Sequence, residues 1–242
     1  NLYLARHYFS LNDFGNSNSY YQNLEKIATN NSVKREAIIR LMLGFETGEN
    51  EQSENVVIYA NKVLNLDKLD DGLKNKASVI LARSYFTHGN FQKAEKTFSA
   101  LSENAIDRVG AEATYMMAYL NYLNDSLQRS ETIIYQLAND FTADYWIAKG
   151  FILLSDIYKQ RGNAFQAKAT LESIIENYKG EDLLIIARKN YESILQSEIS
   201  DTTTLPQYDT YINIFDEEIN YEVLFEEEID TTEIPKIIEN EK

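Results

Sequence analysis

The stretch Leu81-Ala82-Arg83-Ser84-Tyr85-Phe86 decides the fold, together with His88-Gly89-Asn90 directly after it and Ala94 and Phe98 beyond. A near copy stands at Leu4-Ala5-Arg6-His7-Tyr8-Phe9, and the match continues in Phe14 and Phe91 at equal offsets. Leu154-Ser155 and Tyr158 lead in the same way to Gly162, Ala167 and Leu171. The near copy continues from Ala5 to Ser17 and Tyr21, and two looser copies run from Met42 to Glu54 and Ile58 and from Ala118 to Ser130 and Ile134. With Ala5, Met42, Ala82, Ala118 and Ser155 taken as equivalent, the spacings are 37, 40, 36 and 37 residues. Self-similarity at such a period is the signature of a stack of repeated units.

Packing explains the pattern. A small residue at Ala82 or Ser155 lets the first helix of a hairpin approach the second closely. Ala94 and Ala167 give the same approach from the other side. Tyr85 or Tyr158 fills the space beside the small residue, and Phe98 or Leu171 fills the gap toward the next unit. Helical periodicity is plain in Ala77–Phe86, Ala111–Leu123 and Ala148–Tyr158, and turn residues such as His88-Gly89-Asn90 and Arg161-Gly162-Asn163 separate the helices. The first 200 residues hold no proline, which suits a nearly all-helical body. The expected fold is an all-α solenoid of about five helical hairpins. Leu183–Gln196, with the apolar stripe Leu184, Ile185, Tyr191, Ile194 and Leu195, is expected to cap its end.

These residues resemble the tetratricopeptide repeat, a helix-turn-helix unit, over roughly residues 1–178. The match is strongest at 75–108 and 148–178. The motif's tryptophan is missing from all five units, as is its closing proline. Met42 replaces a small residue, and Asn121 an aromatic one. The run Tyr145 to Tyr158 with Gln166 to Ile175 also looks like the C-terminal part of large tetratricopeptide proteins of Bacteroidetes-type bacteria. That resemblance implies residence in the cell envelope, such as the periplasm or outer membrane, and leaves the cytoplasm open. The chain starts at Asn1, within a helical pattern, and is read as a processed chain or fragment.

The 242 residues carry 38 acidic and 23 basic side chains, a net charge of -15. A phosphate backbone would be repelled, so nucleic acid is not an expected partner. No apolar run approaches the roughly 20 residues of a membrane helix. Cysteine is absent, which excludes disulfides and thiol chemistry. His7 and His88 are the two histidines, and they fall in different repeats. No nucleophile motif or phosphate loop stands out. The chain is therefore expected not to be an enzyme and to need no cofactor or metal.

Stacked hairpins leave a concave face lined by their first helices. Counting from the small residue places Arg6 and Phe9, then Ile39 and Leu43, on that face. Lys76, Val79, Arg83 and Phe86 follow. Tyr115, Tyr119 and Tyr122 come next, and then Lys149, Ile152, Asp156 and Lys159. Aromatics interleaved with cations suit protein recognition. The paired Lys and Asn of chaperone-binding relatives are missing. Residues 201–242 form an acidic tail with 13 acidic and 2 basic residues and both prolines, and it contains Tyr208, Tyr211, Phe215, Tyr221 and Phe225. Its aromatics predict docking, on its own solenoid or on another chain. The expected role is a protein–protein interaction scaffold, a component of an envelope or secretion assembly. The alternatives are a glycan- or peptidoglycan-binding module, or the non-catalytic part of a larger envelope enzyme.

Overall fold

A computed structural model describes residues 1–47, 54–105 and 107–202. Their helices are α1 (Leu2–Ser10), α2 (Phe14–Ile27), α3 (Asn31–Thr47), α4 (Glu54–Leu64), α5 (Asp71–Thr87) and α6 (Phe91–Asn104). The second half adds α7 (Arg108–Leu123), α8 (Leu127–Asp140), α9 (Asp144–Gln160), α10 (Ala164–Asn177) and α11 (Glu181–Thr202). The described residues form no strand. Each helix packs on the next, giving five hairpins closed by α11. First helices also meet along the stack, α5 with α7, α7 with α9 and α9 with α11. This is the expected all-α solenoid. Among the described residues, no helix is long and apolar enough to cross a membrane.

The repeat register holds at its key points. Ala5, Met42, Ala82 and Ala118 are fully buried, and Ser155 nearly so. Ser17, Ala94, Ser130 and Ala167, each twelve residues further on, are fully buried as well. Where that second slot is serine, its hydroxyl donates back to the first helix. Ser17 Oγ bonds the Ala5 carbonyl at 3.2 Å, and Ser130 Oγ bonds that of Ala118 at 2.8 Å. A second small position lies five residues before the first. There Ala37, Ala77, Ala113 and Gly150 are buried. A Cβ on Gly150 would sit 3.1 Å from Leu137 Cδ2, so this position sets the approach of one hairpin to the preceding one.

Four of the hairpin turns are equivalent. Asn12, Gly89, Asp125 and Gly162 all have positive φ, from 57 to 75°. Residues of this kind tolerate the left-handed region better than others. In each turn the next backbone N–H reaches back across it. Asp13 donates to Tyr8, Asn90 to Tyr85, Ser126 to Asn121 and Asn163 to Tyr158, at 2.8 to 3.0 Å. The side chains of Asp13, Asn90 and Asn163 then cap α2, α6 and α10.

The second hairpin departs from the expected register. Glu54 and Ile58 are exposed, and the buried series is Val56, Ala60 and Val63. Fourteen residues separate Met42 from Val56, against twelve elsewhere, so a longer connection shifts the second helix by two positions. The capping helix is also longer than Leu183–Gln196 at both ends and takes in Asp201 and Thr202, the first two residues of the expected tail. It buries Leu183, Ala187 and Ile194, while Ile185 is 66% exposed rather than part of the covered stripe. Ala187 lies 37 residues after Gly150, so α11 repeats the register of a first helix. The position where a second helix would approach is Glu192, which is exposed.

Candidate binding surface on the first helices

Three positions of each first helix build the inner face. They lie six residues before the small residue, one after it and four after it. The first column reads Glu36, Lys76, Glu112 and Lys149, alternating in charge from hairpin to hairpin. The second reads Arg6, Leu43, Arg83, Tyr119 and Asp156, and the third Phe9, Glu46, Phe86, Tyr122 and Lys159.

The N-terminal side of this face is neutralised internally. Arg6 pairs with Glu36 through two bonds of 2.6 Å. That pairing holds the Glu36 carboxyl below its usual range. Glu46 accepts from Lys76 at 3.0 Å and from Arg83 at 2.7 Å. Arg83 also makes a two-pronged contact with Glu112, which is buried. One ladder of charge therefore crosses α3, α5 and α7. Arg40 covers the ring of Phe9 at 4.5 Å.

The C-terminal side is aromatic. Tyr115, Tyr119 and Tyr122 stack along α7 with centroids 6.2 and 6.4 Å apart. Phe86 meets Tyr119 at 5.9 Å. Trp146 meets Tyr115 at 5.5 Å and Tyr145 edge-on at 5.0 Å. The Lys149 ammonium lies 5.0 Å from the Tyr115 ring, 5.1 Å from Trp146 and 5.8 Å from Tyr145. Lys149 is half-buried, and none of the ion pairs among the described residues includes it. Desolvation pulls its pKa down, opposed by the charge of Glu112. Two turns further along α9, burial pushes the Asp156 carboxyl up, opposed by Lys159.

A cavity of about 400 Å³ adjoins this cluster at the N-terminal ends of α7 and α9. Phe141, Tyr145 and Trp146 supply its apolar wall, and Asp107, Arg108, Thr142 and Asp144 its rim. Trp146 is almost wholly covered, and its Nε1–H has no acceptor among the described residues.

Most of the expected inner-face residues do share this surface. Three do not. Val79 is 1% exposed and packs in the core with Ala94 and Phe98. Tyr115 and Ile152 are likewise buried, though Tyr115 still presents a ring to Lys149. All three lie three residues before the small position, where the helix faces its neighbours in the stack. Sequence reasoning missed Glu36 and Glu112, whose signal was the column spacing that picks out Lys76 and Lys149, and Glu46, which shares the column of Phe9 and Phe86. It also missed Tyr145 and Trp146. The expected tail residues Tyr208, Tyr211, Phe215, Tyr221 and Phe225 lie outside the described residues.

The two histidines are exposed and apart. His7 stacks on Tyr3, and a His88 ring nitrogen lies 2.7 Å from the Ser84 carbonyl at the end of α5. No cluster of three metal-ligating side chains occurs among the described residues.

Fold and surface together define an all-helical hairpin stack with a charged and aromatic inner face. No family model matches the chain, and no curated protein matches it. In overall fold the chain is similar to a solved protein described as BtubC (BKLC) from P. vanneervenii. That likeness has a TM-score of 0.52 at 14% identity, covering 84% of this chain and 96% of the other.

Proposed function

We propose that this protein is a protein-interaction scaffold whose inner face grips an extended peptide segment of a partner. The observation that carries this reading is the aromatic zone between α7 and α9. Tyr119, Tyr122 and Tyr145 stay partly open there, with Phe86 of α5 alongside, next to Lys149, which makes no ion pair among the described residues. Aromatic side chains with a polar handle give large contact area for little lost rotamer freedom. The repeating small, aromatic and left-handed positions support assignment to the tetratricopeptide-like solenoids. Residence in a bacterial envelope or secretion assembly is proposed on the resemblance of residues 145–175, and cell fractionation tests it.

The test is native affinity purification with mass spectrometry, run in parallel on Tyr119→Ala/Tyr122→Ala. A stoichiometric partner that the double variant loses supports the reading. A partner held equally by the variant overturns the placement on this face. The parallel rings of Tyr119 and Tyr122 also favour a second reading, a platform for sugar rings. Thermal shifts that depend on added glycan, with no protein partner, would establish that one instead.

A further inference from the structure

Lys149 and Lys159 are the inner-face cations that make no ion pair among the described residues, and of the two Lys149 is half-buried while Lys159 is exposed. Arg6, Lys76 and Arg83 each hold a carboxylate. Lys149 has exchanged part of its water for three aromatic faces, feels the charge of Glu112 and makes no ion pair among the described residues. A fully hydrated surface lysine gains little from an anion. A half-desolvated one gains more, because burial has already weakened its interaction with water. The adjoining cavity is walled by Phe141, Tyr145 and Trp146 and has room for one aromatic side chain. Arg108 stands at its rim together with Asp107 and Asp144, so an acidic group is drawn past the rim to Lys149 and not to the rim itself. Cavity and cation together call for an aromatic residue joined to an acidic one.

The chain itself carries that pairing. Residues 203–242 hold twelve acidic and two basic side chains. Four aromatic residues there are followed at once by a carboxylate: Tyr208-Asp209, Phe215-Asp216, Tyr221-Glu222 and Phe225-Glu226. The segment starts directly after α11, which packs against α9. The 22 residues of α11 span about 33 Å. Nineteen extended residues, from Thr202 to Tyr221, reach up to about 60 Å.

We infer that one aromatic–acid pair of residues 203–242 docks at this point of its own chain, with the ring in the cavity beside Tyr145 and Trp146 and the carboxylate on Lys149. This deepens the reading of the inner face as a peptide-binding surface and rests on it. A partner segment would then have to displace the tail.

Zero-length carbodiimide cross-linking of the full chain tests this. The reagent activates a carboxyl group, the lysine amine attacks it, and an amide forms as the urea by-product leaves. The ion pairs Lys62–Glu25, Lys76–Glu46 and Lys168–Glu198 serve as internal controls. Once these links have formed, a peptide joining Lys149 to an acidic residue within 209–226 is expected. It should disappear at about 1 M salt, where the screening length is about 3 Å. Absence of the link overturns the inference. So does a link found only between isotopically distinct chains in a labelled mixture, which would make the occupant a second copy. A second measurement uses Trp146, the chain's one tryptophan. Lys149→Glu should increase its quenching by acrylamide while Lys149→Arg leaves it as in the parent, and equal quenching in both overturns the inference. If the link is missing but the partner still depends on Tyr119 and Tyr122, the tail inference falls and the scaffold reading stands.

Discussion

Glu112 shows at the residue scale how the inner face is held in place. It is 4% exposed and anchors Arg83, while Arg83 also holds Glu46 one hairpin away. A buried carboxylate stripped of its cation loses its compensation. Arg83→Met should therefore destabilise the fold by about 2 kcal/mol, discounted from the range for fully buried pairs because Arg83 itself is partly open. Glu112→Gln in the same background should recover part of the loss, as read by urea unfolding. Asp156 gives a pH-dependent prediction. Its folded pKa is raised, so the folded state binds the proton more tightly than the unfolded state does. That contribution is full below the ordinary aspartate value and is lost as pH rises through the folded pKa. Asp156→Asn should thus raise Tm at pH 7, and the gain should vanish in acid below the ordinary carboxylate range.

At the scale of the element, the turn that closes each hairpin is a unit in itself. Gly89 and Gly162 hold the same left-handed slot as Asn12 and Asp125. A Cβ on either glycine meets nothing within 4 Å, so the strain of a substitution is purely backbone strain. Gly162→Ala should cost about 1 kcal/mol. Gly162→Asn should cost clearly less, because the first hairpin already uses asparagine there. Thermal melts of the two variants decide this. Gly110 is a different case, since a Cβ there would stand 1.8 Å from the Ala105 carbonyl oxygen. Gly110→Ala should force α6 and α7 apart and cost more than either turn variant. The second hairpin teaches the converse lesson. Its two extra connecting residues moved the buried series onto Val56, Ala60 and Val63, and spacing alone pointed to Glu54 and Ile58.

For the whole molecule, the buried clusters meet at α5 and α7 through shared neighbours such as Tyr85 and Met116, so the core runs along the stack. Phe98 is fully buried in the middle of it. Phe98→Ala should cost about 3–5 kcal/mol. Because hairpins in a stack are stabilised by their neighbours, the loss should be shared. Circular dichroism and Trp146 fluorescence should move to lower denaturant together, and separate transitions would mean the two halves unfold independently.

The residues alone determined the hairpin, its number of copies and its close-approach positions. Those depend on local side-chain volume and on turn residues that accept positive φ, and both can be read from spacing, as Ala82, Gly89 and Ala94 show. The nature of the inner face was decided by tertiary structure. Whether a position three residues before the small one looks outward depends on how much of the helix the neighbouring hairpins cover, and Val79 ended in the core for that reason. Charge pairing depends on distances between hairpins. Glu36, Glu46 and Glu112 neutralise cations 29 to 37 residues away, and only the stacked chain reveals that Lys149 lies against aromatic rings with no ion pair among the described residues.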